Sequence, residues 1–178
     1  MMDTFLYDRE PAIIANLSTP CTCTRMERDL LDQFLSAEYG CNRGTPALLH
    51  IGECCVPTGS RHWITAYNPL GAACADAVNL AAQQQLQEAV AAAGWHCEPG
   101  FARAPAVAPG RSSPWQEPCI VLHSAPDALV DRLAHRFRQL ATVVLHPGQP
   151  ARLRCYRAFW YERFHRADMD AANVEWVA

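Results

Sequence analysis

With 178 residues, half of them hydrophobic, the chain is long enough to bury about 70% of its unfolded surface in one core, which excludes an intrinsically disordered segment. A formal net charge of −3 argues against a general nucleic-acid binder, which would show a basic excess. No apolar run approaches the roughly 18 residues of a membrane helix. Acids also stand near the N-terminus where a secretory leader would carry bases, so no membrane contact and a cytoplasmic location are expected.

All fifteen basic residues are arginine. That removes the lysine chemistries of Schiff bases, P-loops and kinases; with abundant alanine, it is the bias of a GC-rich bacterial genome. Nine cysteines, odd in number and scattered in spacing, predict no disulfide framework but free thiols packed as small hydrophobes.

Residues 1–23, interrupted by Pro11 and Pro20, read as irregular. Thr24-Arg25-Met26-Glu27 has the T-x-x-E form of a capping box. It predicts a helix running to Tyr39, with Met26, Leu30, Leu31, Phe34 and Leu35 on one face and Gly40 as its stop. Ala47 to Val56 reads as a strand, Pro57 to Ser60 as a turn and His62 to Tyr67 as the next strand, a hairpin pair. In that second strand Ile64 and Ala66 alternate with Thr65 and Tyr67. Asn68-Pro69 ends it, since proline lacks a donor and forces its predecessor out of the helical region.

Asp76 to Ala93 predicts a helix stopped by Gly94, and Trp95 to Ala104 a strand. Residues 105–114 form a Pro/Gly/Ser loop. Glu117-Pro118 leads into the short apolar run Cys119 to His123, typical of a central strand. Ser124 to Asp127 reads as a second capping box, opening a helix with Leu129, Val130, Leu133, Ala134, Phe137 and Leu140 at a 3.6-residue period. Thr142 to His146 and Ala151 to Tyr156 are two further strands around Pro147-Gly148.

From the strand of Trp63 onward the order is β-α-β-β-α-β. This predicts an α+β fold of the ferredoxin-like split β-α-β type. Its antiparallel sheet would carry both helices on one face, with extra flanking strands and an N-terminal helix. Three parts follow: an N-terminal segment over 1–46, the core over 47–156 and an aromatic, arginine-rich C-terminal segment over 157–178.

In that architecture the first and third strands are antiparallel neighbours, so the end of one lies beside the start of the other. Thr65 and Asn68 are thereby expected to approach Trp115 and Glu117. The first helix begins at the same end with Asn79, and the second finishes there with Gln139. The loop over 105–114 would cover the group, near Arg103 and Arg111. Glu117 can accept hydrogen bonds from amides or an arginine, or act as an acid or base if its pKa is raised. The helix start beside Asn79 favours an anionic group. Alternatively the two asparagines brace the turn while Glu117 pairs with Arg103 or Arg111.

At these residues the chain resembles a bacterial family known only as a domain of unknown function. Its signature runs T-A-x-N-P, then Asn about ten residues on, then W-x-E-P, then F-G-Q. Here these are T-A-Y-N-P at Thr65 to Pro69, Asn79, W-Q-E-P at Trp115 to Pro118, and F-R-Q at Phe137 to Gln139. The resemblance spans residues 61–146 and departs from the pattern at Arg138. It implies no activity, substrate or cofactor, and singles out the same cluster.

The expected function is binding of a small polar or anionic ligand by Thr65, Asn68, Asn79, Arg103, Arg111, Trp115, Glu117 and Gln139. One rival is a protein-interaction module that docks a partner or dimerises through the C-terminal segment. Another is an enzyme using Glu117 as general acid or base. No cofactor is expected. Cys21, Cys23, His50, Cys54 and Cys55 form a weak metal candidate, because adjacent strand residues point to opposite faces. Cys119 and His123 lie about 13 Å apart along a strand and are not a nucleophile–base pair. The C-terminal run sets five arginines among Tyr156, Phe159, Trp160, Tyr161 and Phe164. Stacking on nucleic acid is the lesser reading; an edge strand with outward Arg152 and Arg154, followed by a docked aromatic segment, is the expected one.

Overall fold

The computed structural model describes residues 23–42, 48–55, 57–105, 115–165 and 171–178. Among these the chain is an α+β protein with one seven-stranded mixed sheet and four α-helices. The helices are α1 (Cys23–Ser36), α2 (Asp76–Ala92), α3 (Asp127–Arg136) and α4 (Arg157–Phe164). The strands are β1 (Glu38–Cys41), β2 (Arg61–Ile64), β3 (Cys97–Arg103), β4 (Gln116–His123), β5 (Ala141–Leu145), β6 (Arg152–Tyr156) and β7 (Val174–Val177). Their order across the sheet is β1-β3-β4-β2-β5-β6-β7. Every pair is antiparallel except β6 with β7.

Side-chain alternation splits the interior into two layers. On one face Ile64, Ile120 and Leu122 pack under Leu86 and Val90 of α2 and Leu129, Val130, Leu133 and Ala134 of α3. On the other, Trp63, Val121, Val143 and Leu153 pack under Leu31 of α1 and Trp160 and Phe164 of α4. Tyr156, Trp160 and Phe164 thus belong to the core, while Tyr161 is exposed: Trp160 is fully buried, and its indole donates to the Leu140 carbonyl at 2.9 Å.

Several expectations are corrected. The first helix ends at Ser36, and Tyr39 and Gly40 lie in β1. The Tyr39 hydroxyl turns back to the Phe34 carbonyl at 2.7 Å, satisfying an orphan of the helix end. Gly40 serves close approach rather than capping, because a Cβ there would sit 2.3 Å from the Phe101 ring. α1 already includes Cys23, so Thr24 lies inside it rather than ahead of its first residue. Likewise Pro126, not Ser124, precedes α3, without a side-chain cap.

Of the expected 47–56 strand, the described residues 48–55 form an irregular segment that turns at Gly52 (φ 90°) and pairs with the sheet through isolated Tyr39–Leu49 and Cys54–Pro150 bridges. It makes no hairpin with β2, because β4 and β5 already occupy both edges of that strand. Nor is β6 an edge, since β7 covers it. Arg152 is exposed, but Arg154 is buried beneath α3.

Arg154 anchors a polar network that the sequence pattern does not announce. Its guanidinium binds both oxygens of Asp131 at 2.8 Å, contacts Glu175 closely, and lies 3.6 Å from Asp127. The Tyr156 hydroxyl adds a bond to Asp131 at 2.9 Å. Burial opposes ionisation of Asp131, yet hydrogen bonds from Arg154 and Tyr156 outweigh it and hold the carboxyl below its ordinary range.

Beside this pair, Asp127 stands 3.5 Å from both His62 and His146. His62 is fully buried, with Nε2 3.1 Å from the Ala125 carbonyl and Nδ1 without a partner among the described residues. Burial lowers its pKa, and Asp127 offsets that only in part.

A histidine held neutral stabilises the fold above its unfolded pKa, and that contribution is lost as pH falls and the unfolded chain alone takes up a proton. Urea unfolding is therefore expected to show stability declining below about pH 6.5. In His62→Gln, which keeps a donor for Ala125, this decline should flatten. An unchanged pH dependence in the variant would show that His62 is not its source.

Candidate functional site

β2 carries Ile64 into the α2–α3 layer, and the chain continues extended through Thr65, Ala66 and Tyr67. Asn68 then adopts the left-handed conformation (φ 48°, ψ 61°), which asparagine tolerates better than any other residue with a side chain apart from aspartate and histidine. A single 3₁₀ turn follows over Pro69–Gly71, with Leu70 also left-handed at φ 57°. Two such residues so close are strained and persist only because their surroundings hold them.

Asn68 supplies much of that hold. Its backbone N–H donates to Asn79 Oδ1 at 2.9 Å; its Oδ1 accepts from the Cys74 N–H at 3.1 Å and Asn79 Nδ2 at 3.0 Å. Its remaining donor, Nδ2, goes to Glu117 Oε2 at 2.9 Å. Thr65 Oγ1 donates to the Pro118 carbonyl at 2.9 Å and accepts from the Tyr67 N–H at 3.0 Å. Gln139 Nε2 donates to the carbonyls of Tyr67 and Phe137, each at 3.1 Å. The Leu70 N–H reaches the Arg138 carbonyl at 2.8 Å.

Thr65, Asn68, Asn79, Trp115, Glu117 and Gln139 therefore meet as expected, all lining one cleft of about 580 Å³. Arg103 does not join them. It pairs with Glu38 at 2.7 Å and stacks over the Phe101 ring. Arg111 and residues 106–114 of the loop expected to cover the group lie outside the described residues. The asparagines brace the turn, and among the described residues Glu117 faces an amide rather than an arginine.

Gln83, one helical turn beyond Asn79 on α2, was not anticipated. Its Oε1 accepts the Ala66 N–H at 2.8 Å. Two polar residues spaced i, i+4 on the inner face of a helix are the trace this leaves in sequence. The cleft wall from Gln33, Phe34 and Tyr39 was also missed, because it depends on α1 ending early.

Partial burial raises the Glu117 pKa, and hydrogen bonds from Asn68 and Thr65 offset that only in part. Thiol chemistry at Cys119 and Cys41 is disfavoured: burial pushes Cys119 well up, and Cys41 to about 11, so neither is a thiolate near neutrality. His123 pairs with Glu98 at 2.7 Å. Cys54 and Cys55 are exposed, while Cys21 and the Cys23 side chain lie outside the described residues. Among the described residues no group of three or more His, Cys, Asp or Glu is placed to hold a metal ion. No helix there is long and apolar enough to cross a membrane.

The site thus defines an α+β domain with a polar cleft beside the strand-ending turn of β2. Residues 64–142 match the family described as a protein of unknown function (DUF3293), within the 61–146 span of the motif resemblance. No curated protein and no solved structure matches the chain. Arg138, the position at which the chain departs from the F-G-Q of the motif resemblance, takes φ 52°, a left-handed conformation that glycine adopts freely.

Two outcomes follow. Asn68→Gly keeps the backbone conformation but loses three side-chain hydrogen bonds, and should cost about 2 kcal/mol in urea unfolding; a loss under ~0.5 kcal/mol would deny the brace. A carboxyl whose folded pKa is raised stabilises the fold at low pH, and that contribution is lost as pH rises through the folded value. Glu117→Gln should therefore be more stable than the parent at pH 8 and lose that advantage towards pH 4, by the same measurement. Destabilisation at pH 8 would show the carboxylate to be structural.

Proposed function

We propose that this is a ligand-binding domain, cytoplasmic and of the ferredoxin-like type, that holds a small polar molecule in the cleft around Glu117. The β3-β4-β2-β5 order, with antiparallel neighbours and α2 and α3 sharing one layer, supports the fold assignment. One observation carries the functional reading. Glu117, partly buried in a 580 Å³ cleft, is hydrogen-bonded by Asn68 and has no ion-pair partner among the described residues. A volume of that size is typical of small-molecule sites. A carboxylate kept there against its desolvation cost is more typical of function than of folding.

Burial of Trp160 and Phe164 in the domain's own core favours this reading over partner docking through the C-terminal segment. A second reading rests on the raised Glu117 pKa: a carboxyl poised to carry a proton suits a general acid or base. Native mass spectrometry of gently purified protein is expected to show an adduct lost on denaturation, absent from Glu117→Gln. An adduct retained by that variant would contradict the Glu117-centred site.

A further inference from the structure

The charge and the walls of the cleft narrow its ligand, given the binding reading above. Five aromatic side chains line it: Phe34, Tyr39, Trp63, Tyr67 and Trp115. The charged groups among its described lining are Glu117 and Asp76, both acids; no arginine or histidine is among the described lining, although the chain holds fifteen arginines and seven histidines. Ala102 borders the cleft while its neighbour Arg103 is paired to Glu38.

Two features that would welcome an anion are already used. The amide donors of Asn79 and Gln139 are spent on Asn68, Cys74, Tyr67 and Phe137. Asp76 occupies the first turn of α2, so a carboxylate already sits at the positive end of that helix. An anion entering would meet Glu117 without a compensating base among the described lining.

We infer that the cleft binds an organic cation, an ammonium group on a small apolar body, with Glu117 as its counter-ion and the aromatic walls enclosing it. Aromatic faces attract cations, and a carboxylate in a partly desolvated cleft gives a stronger charge-assisted contact than one in water. This replaces the polar or anionic ligand expected from the sequence with a positively charged one.

The test follows the Trp63 and Trp115 indole N–H signals by NMR, at pH 8 and low salt, with four probes of similar shape. Choline and neohexylamine are cations, neohexyl alcohol is neutral and tert-butylacetate is an anion. Both cations should shift the two indole signals saturably at millimolar concentration, with the alcohol about tenfold weaker or more and the anion without effect. Glu117→Gln should weaken the cations about tenfold and leave the alcohol unchanged. Asp76→Asn, at an exposed position, should weaken them less, and serves if Glu117→Gln fails to fold. Alcohol or anion binding as tightly as the cations overturns the charge assignment but leaves the cleft as a binding site. If no probe moves either signal, both the cation assignment and the binding reading fall.

Discussion

The arrangement of the cleft depends on one side chain, the amide of Asn68. Its left-handed backbone turns the chain sharply out of β2, and its oxygen gathers the Cys74 N–H and Asn79 into the same knot. Only the amide nitrogen is left, and it goes to Glu117 on β4. Three segments distant in sequence, β2, α2 and β4, are thereby locked around a carboxylate. Gln83 and Gln139 extend the lock along the strand and across to the end of α3. Each of these amides binds backbone groups that would otherwise be buried without partners, a cost of about 1–3 kcal/mol apiece.

The two faces of the sheet treat charge in opposite ways. Beneath α3, Arg154 meets Asp131, Glu175 and Asp127, so buried charge is matched within the chain. That network ties α3 and β7 to β6, and its carboxyl at Asp131 is held ionised. On the α1 side Glu117 has amide and hydroxyl contacts and is pushed towards its neutral form. A matched network stabilises a fold; an unmatched carboxylate in a cleft costs stability and leaves a charge for something else to meet.

Much of this was legible in the sequence, for definable reasons. The alternation of Ile64 and Ala66 with Thr65 and Tyr67 placed one pair in the core and the other in the cleft. Asn68-Pro69 marked the turn, and topology alone brought Glu117 to it. The failures came where tertiary contacts overrode local signals. Gly40 has the form of a helix stop but accommodates the Phe101 ring, which shortened α1 and opened the Phe34–Tyr39 wall. The apolar 47–56 segment has strand composition but no free edge to pair with. Arg154 alternates like an outward residue, and only the arrival of β7 and Asp131 explains its burial. Of the positive charges expected near Glu117, Arg103 is drawn away because β3 sets it opposite Glu38 of β1, and Arg111 lies outside the described residues.

The central claim is that Glu117 is a desolvated carboxyl held by Asn68 without a basic partner among the described residues. Titrating its side-chain carbon by NMR in the ligand-free protein tests this most directly. The account predicts a midpoint above the ordinary value of about 4.3, moving higher still in Asn68→Gly, where the bond that favours the ionised form is lost. A midpoint at or below the ordinary value would mean that a cation or additional donors already satisfy the carboxylate, and the account of the cleft would be wrong.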